Sequence, residues 1–500
     1  MTSVAPPPIR LQPSRARWDA VVVGSGVGGS VTSALLAAAG QRVLVLEKNQ
    51  VIGGILAAYC RDGFKIDAGS HLISRGERGP LAAVLRAIGG PAPRFLTHPI
   101  PVRSRGMFAA TAPARRSGLP AVARQAVRDL GIPPMDAMRL ARMMFHVFTL
   151  TELELRRWDR RTLDEFIRRY TEHPGAYFLF SFLASIFFVL PPWEVSAGEA
   201  IRCLRWVLRD YHLSYVEGGM DSLARAMLGR VVAAGGEIVT GARVSAIRRD
   251  GGRLRVVTGA GDEFEADAVA CNLAPSDLLH LLAPGAVPPE WAARVRALRG
   301  SGSAHQVKLA LRRPLVDEGC IIGGLSLSGL TTEDLTIDLM ERTVAAIGDG
   351  RVSDPLALYA PVPTNYDPSL APPGRQLIVA SIYGPVREDP VDDPAVWREQ
   401  ALRAIAGVIP GLEDELLFAE FTPIPAVGRW MGKRNNAAIC NAQVPGQVGR
   451  DRLPVATPLA GVWLCGDGAG GRGVGTELAA ASGMAAAREI LAARAGAAAA

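Results

Sequence analysis

Short apolar runs closed by glycine or an acidic side chain set the rhythm of the N-terminal part of the chain. Residues 20–23 (AVVV) are apolar throughout, the pattern of a short strand buried on both faces. A glycine-rich turn follows at 24–29, and residues 30–39 are small and helix-compatible up to the stop at Gly40. Residues 42–46 read as a second strand, closed by Glu47. Further on, 221–234 predicts a helix stopped by Gly235-Gly236, and 237–240 a short strand. Residues 243–248 and 253–258 alternate in strand fashion about a turn at Asp250-Gly251-Gly252. An apolar strand at 266–271 ends at Asn272, and a strand at 461–465 precedes a small-residue helix. One run stands apart. Residues 176–190 (AYFLFSFLASIFFVL) are apolar except for two serines, and Pro191-Pro192 ends them. A spanning helix needs about 20 apolar residues, so this segment predicts a buried helix.

The first strand, turn, helix and second strand fit one chemistry. Gly24, Gly26 and Gly29 have G-x-G-x-x-G spacing, with Gly28 beside them. The first glycine permits the tight turn, the second lets backbone approach a pyrophosphate, and the third lets helix and strand pack closely. The helix start offers free N–H groups and the positive end of its dipole to phosphates. Glu47 can accept hydrogen bonds from ribose hydroxyls, and its negative charge argues against a 2′-phosphate there. The segment therefore predicts a dinucleotide site.

The 500 residues are enough for two or three domains, and 49% of them are hydrophobic. A net charge of +7 is modest for this length, and no nucleic-acid module accompanies it. The six cysteines are scattered without a C-x-x-C pair, a pattern that suits reduced thiols in the cytoplasm. The dispersed histidines lack metal-ligand spacing, so no metal site is expected. Residues 1–16, with Pro6-Pro7-Pro8 and three arginines of the first seventeen residues nearby, lack an apolar signal core and predict a disordered leader.

Beyond the glycine turn, Gly53-Gly54 follows Glu47, and then comes Asp62-Gly63-Phe64-Lys65-Ile66-Asp67-Ala68-Gly69-Ser70. Together with Gly218-Gly219-Met220, the 363–374 segment and Gly466-Asp467-Gly468, this resembles the phytoene desaturase branch of the flavin amine oxidase superfamily. The resemblance implies FAD and an α/β fold: a discontinuous Rossmann-type FAD-binding domain with an inserted α+β substrate domain. The FAD domain would comprise 17–95, 211–275 and 446–495, and the substrate domain 96–210 and 276–445. It further implies FAD contacts from Gly24, Gly26, Gly28, Gly29, Glu47, Lys48, Gly53, Gly54, Asp67, Gly69, Val244, Gly466, Asp467, Gly475 and Thr476. Val244 would meet the adenine through its backbone, and Asp467 the ribityl–phosphate region.

The implied activity is desaturation, saturation or isomerisation of a C–C bond in an apolar polyene or isoprenoid-like substrate, by hydride transfer to or from flavin N5. A quinone or oxygen would be the electron acceptor. Carotenoid desaturases carry small, almost wholly apolar sequence after the closing flavin motif, whereas this chain has Gly471-Arg472-Gly473-Val474-Gly475-Thr476-Glu477. Arg472 and Glu477 either pair with each other or face the flavin, where Arg472 would favour the anionic reduced ring and Glu477 would move a proton. His71 is the third catalytic candidate, from its place after Asp67 and Gly69. The polar cluster keeps a second activity open, an amine oxidase-like reaction on a smaller or more polar substrate. Eight arginines between 103 and 142, against Asp129 and Asp136 alone, add an expected contact with an anionic membrane surface near an apolar channel walled by 176–190.

Overall fold

The computed structural model describes residues 4–10, 12–69, 71–107, 109–250, 252–387, 389 and 391–499. Ser70 of the motif and Gly251 of the turn lie outside them. Two seven-stranded sheets organise the chain. In the first, β1 (Arg17–Val23) lies parallel between β2 (Val43–Leu46) and the strand Glu263–Cys271, and β2 continues to Glu237–Val239. The N-terminal half of Glu263–Cys271 also pairs antiparallel with Arg253–Thr258, and its C-terminal half pairs parallel with Val462–Leu464. Burial on both faces explains the near-continuous apolar runs of β1 and β2.

Helix α1 (Val27–Ala38) packs against the C-terminal helix Gly475–Ala499. Small residues make that contact possible. A Cβ on Gly483 would lie 2.7 Å from the Gly28 carbonyl oxygen, and the Thr32 hydroxyl donates to the Gly28 and Gly483 carbonyls at 2.8 and 3.2 Å.

The second sheet runs Leu416–Thr422, Ser303–Leu311, Gln376–Gly384, Leu356–Pro361, Cys320–Leu325, Val102–Ser104, Ala110–Ala112. Its pairs are antiparallel except for Cys320–Leu325 with Val102–Ser104. The helix Pro394–Val408 covers one face with Trp397, Ala401 and Ile405. A separate cluster of helices between 119 and 210 holds its own core, including Phe166, Tyr177 and Phe182, and the apolar run of 176–190 is the helix Pro174–Phe188.

Two expectations change. The described part of 1–16 is docked rather than disordered: the Arg10 N–H donates to the Ile238 carbonyl at 2.9 Å, and the Ser14 N–H to Glu237 at 2.8 Å. Glu237–Val239 is the sheet's edge, so its unpaired backbone and acidic side chain take up a basic segment. Met1–Ser3 and Leu11 lie outside the described residues. Second, the chain stays with the first sheet beyond Pro275, because Leu278, Leu282 and Val295 pack into that sheet's core.

Candidate active site

A cavity of about 1290 Å³ runs from the C-terminal ends of β1 and β2 to the second sheet and the helical cluster. At its polar end the chain closes tightly around a turn. A Cβ on Gly29 would lie 2.0 Å from the Gly24 carbonyl oxygen, and one on Gly28 would lie 2.4 Å from the Gly466 nitrogen. Gly24 itself needs φ +91°. Gly24, Gly26, Val27 and Gly54 line the cavity, and no side chain caps α1, so its first N–H groups stay available to an anion.

Asn272, at the C-terminal end of the strand next to β1, holds this corner together. With its amide turned so that both ends are satisfied, its oxygen accepts from the Gly26 N–H and its nitrogen donates to the Cys465 carbonyl, each at 3.2 Å. Glu47 is buried and lines the cavity. One of its oxygens accepts from the Ser25 N–H and hydroxyl (2.9 and 2.6 Å), the other from the Asn49 N–H (2.9 Å). Those bonds fix the carboxylate at the strand end. Lys48 and Val244 also line the wall, with the Lys48 ammonium donating to the Arg429 and Trp430 carbonyls at 3.0 and 2.6 Å. Burial pulls the Lys48 pKa down, against the pull of Glu47.

Further along, Asp467 lines the cavity against Lys433, 3.2 Å away, and accepts from the Cys440 N–H at 3.0 Å. Burial raises its carboxyl, but the Lys433 ammonium and the Cys440 donors outweigh that, and it sits below the usual range. Asp277 faces the same wall, with the Arg434 guanidinium 3.4 Å away and neither oxygen hydrogen-bonded, and burial raises its pKa.

The other end is apolar. Phe180, Leu183, Ile186 and Phe187 from the helix Pro174–Phe188 line it, with Met143, Val147 and Leu204. Where this hollow meets the trough stand Gly69, His71, Gly475, Thr476 and Glu477. His71 is stripped of water, which lowers its pKa to about 4 and keeps the imidazole neutral; its Nδ1 has no partner. Glu477 is held by Arg75 at 3.5 Å through one oxygen, while its Oε1 is buried without a partner. Arg75 is shared with Asp210 at 2.7 Å and lies 5.4 Å above the Trp206 ring. Burial raises the Glu477 pKa further than Arg75 lowers it.

Two candidates are placed elsewhere. Arg472 neither pairs with Glu477 nor lines the cavity. Its guanidinium binds Glu199 at 2.7 Å and Asp159 at 3.2 Å, and the Gly473 N–H binds the other Glu199 oxygen at 2.7 Å. Two buried carboxylates on neighbouring helices attract the cation more strongly than one acid on its own turn. Asp67 also lies off the cavity wall, accepting from the Tyr215 hydroxyl and from the Met220 N–H at 3.2 Å. It ties its loop to the Gly218-Gly219 segment and orders the wall indirectly. Gly28, Gly29, Gly53 and Gly466 shape the trough through close backbone contact without lining it.

Asn272, Asp277, Lys433, Arg75 and Asp210 were not singled out from sequence. Asn272 carried a usable signal, its position just beyond the carboxyl end of a parallel strand. Arg75 and Asp210 meet Glu477 only through the tertiary fold.

An uncapped helix start and glycines with no room for a Cβ suit an extended phosphate-bearing group. The volume exceeds the ~300–1,000 Å³ that drug-sized ligands occupy, leaving space for a second molecule beside it. A trough that takes a dinucleotide and runs on into an apolar hollow is the arrangement of a cofactor-dependent redox enzyme.

The chain belongs to the flavin containing amine oxidoreductase family, whose profile matches residues 29–491. It is 25% identical over 394 residues to prolycopene isomerase 1, chloroplastic, of an Oncidium hybrid cultivar, covering 72% of this chain and 63% of that protein. All-trans-retinol 13,14-reductase of Rattus norvegicus is 48% identical over 63 residues, 13% of this chain and 10% of that protein. The chain thus spans less than two thirds of the length of these relatives. An oxidoreductase structure from Methanosarcina mazei shares the fold, with a TM-score of 0.70 at 20% identity, covering 93% of this chain and 98% of that one.

Proposed function

We propose that the protein changes the saturation or geometry of a C–C double-bond system in an apolar polyene or isoprenoid-like substrate taken up beside a membrane surface. The observation that carries this reading is the apolar hollow, walled by Phe180, Leu183, Ile186 and Phe187, continuous with the dinucleotide trough. Such walls desolvate a hydrocarbon chain, worth about 25 cal/mol per Å² buried, and give no charged partner to a polar one. When bound, FAD supplies a hydride acceptor or donor at N5. The chain's own residues supply the proton side. Glu477 Oε1, buried and unpartnered at the junction, takes or returns the proton of the neighbouring substrate carbon. Arg75, anchored by Asp210, fixes the direction of that carboxyl group. Neutral His71 lends a polar ring without charge, so the hollow remains favourable to hydrocarbon. A quinone or oxygen accepts the electrons in the desaturating direction.

The test is anaerobic bleaching of the flavin absorbance with a panel of carotenoid precursors, retinoids and amines. Bleaching by a polyene, or reoxidation of the reduced protein by one, supports the reading. Bleaching by amines alone replaces it with the amine oxidase-like reaction.

A further inference from the structure

Polar side chains at the reaction end of the cavity are few, and those of the second sheet stand together. Gln306 pairs across the strands with Ser381, and Ser381 with Tyr359, while Tyr383 follows Ser381 on the same face of its strand. All four line the cavity. Phe180, Leu183, Ile186 and Phe187 line it from the helix Pro174–Phe188, which touches the strand Leu356–Pro361. A molecule lying between these walls meets hydrocarbon on one side and a short polar row on the other.

That row is neutral. Burial, with Glu194 adding to it, pushes the Tyr383 phenol up to about 12, and burial raises Tyr359 as well, so both keep their protons at neutral pH. Lys308, next along the face from Gln306, does not reach the cavity. Its ammonium donates to the Ala68 carbonyl at 3.0 Å and to the Gln306 side-chain oxygen at 3.4 Å. Among the described residues, no cation of the second sheet lines the cavity.

The two phenols have hydrogens to give. The Tyr359 hydroxyl oxygen accepts from the Leu72 N–H at 2.9 Å, which ties the ring to the loop of His71, and among the described residues its own O–H has no acceptor. The Tyr383 hydroxyl forms no hydrogen bond among the described residues. Packing fixes its place: a Cβ on Gly302 would lie 2.5 Å from that hydroxyl oxygen, so the ring rests on bare backbone. A positioned donor without an acceptor is stabilised by a ligand oxygen that supplies one.

We infer that Tyr359 and Tyr383 bind a neutral oxygen function, hydroxyl or carbonyl, carried by the polyene or isoprenoid-like substrate, and thereby set which of its double bonds stands at the junction with the trough. Because Leu72 holds Tyr359 beside His71, the oxygenated end is the one nearest that junction. A pure hydrocarbon leaves both phenols without an acceptor, and a carboxylate finds no cation on this wall. The inference rests on the apolar-substrate reading of the cavity.

Equilibrium dialysis of the FAD-loaded protein at fixed detergent concentration tests it, because bound ligand is counted whether or not it reacts. The probes are retinol, retinal, retinoic acid and the hydrocarbon of the same skeleton, with a hydroxylated carotene against carotene as a longer pair. The double substitution Tyr359→Phe with Tyr383→Phe is expected to weaken the alcohols and the aldehyde about tenfold, at unchanged flavin content and unchanged affinity for the hydrocarbons. Comparing wild type with variant cancels each ligand's own partition into detergent. Equal changes for oxygenated and hydrocarbon partners in both pairs overturn the inference, as does tighter binding of retinoic acid than of retinol by the wild type. Failures of the two readings separate. Wild-type protein that binds hydrocarbon and oxygenated polyenes but responds alike for both after substitution removes the oxygen site alone. Protein that binds no polyene of either pair removes the apolar-substrate reading, and the oxygen site with it.

Discussion

The two ends of the cavity are built by opposite rules. At the nucleotide end most polar groups are satisfied: Glu47 is bound by Ser25 and Asn49, Asp467 by Lys433 and Cys440, and Asn272 bridges Gly26 and Cys465, while Asp277 has only the Arg434 guanidinium at 3.4 Å. At the reaction end, polar atoms are sparse, and two of them, His71 Nδ1 and Glu477 Oε1, are buried without partners. Closed networks hold a rigid cradle in place before any ligand arrives, and rigidity is what a shared cofactor needs. Unpaired atoms in a dry wall are costly to keep, at about 1–3 kcal/mol each, so their place is where chemistry uses them.

The sharpest way to break that contrast is at the rigid end. Gly28→Ala places a Cβ 2.4 Å from the Gly466 nitrogen and 2.6 Å from its Cα, both backbone atoms that cannot rotate away. The expected outcome is protein without bound FAD, destabilised by roughly 3 kcal/mol. Flavin absorbance per mole of protein and a thermal melt check it, and a yellow variant melting like wild type would contradict the tight-cradle argument.

At the reaction end, Glu477→Gln is expected to keep full FAD content and lose about 10²- to 10⁴-fold in turnover. Burial holds the Glu477 carboxyl above its ordinary range, with Arg75 opposing. The activity limb that needs its ionised form should therefore lie above the usual carboxylate region, and should vanish in the variant. Arg472→Met gives the counterpart. Glu199, fully buried, and Asp159 lose a cation, so the melt should report a loss of about 3 kcal/mol while turnover per bound flavin holds. Equal turnover losses in both variants would mean that Arg472 and Glu477 act as one unit despite their separate partners.

That separation also marks how far the sequence could be read. The strands and helix around Gly24 were legible because each is local: an apolar run, a turn that only glycine can make, a stop at Gly40. Glu47 followed from its place at a strand end. Arg472 and Glu477, five residues apart, looked like partners because proximity along the chain was the only distance available. The fold sends one towards Glu199 and Asp159 and the other towards Arg75, across sequence separations of hundreds of residues. The leader misled for a related reason. Proline and arginine composition describes a segment's own preference for disorder, but the vacancy it fills belongs to the edge strand Glu237–Val239.

Asp67 gives the smallest and most specific test, because it lies between the two regimes: buried like the cradle, yet with its protonation displaced like a reacting group. Burial is the main cause, with the nearby Asp221 adding to it, while the Tyr215 hydroxyl, the Met220 N–H and Lys65 pull the other way. The carboxyl sits at about 7 in the fold against an ordinary 3.8. Between those values the folded chain keeps a proton that the unfolded chain has released. Stability therefore falls as pH rises through this window, by no more than about 1.4 kcal/mol per pH unit for one proton, and levels off above and below it. Asp67→Asn keeps an acceptor for the Tyr215 hydroxyl and removes the titration. Urea midpoints of the FAD-loaded protein from about pH 4 to pH 8 should lose that slope in the variant. An unchanged slope would place the proton on another group and leave Asp67 a fully ionised part of the closed network, on the cradle's side of the comparison.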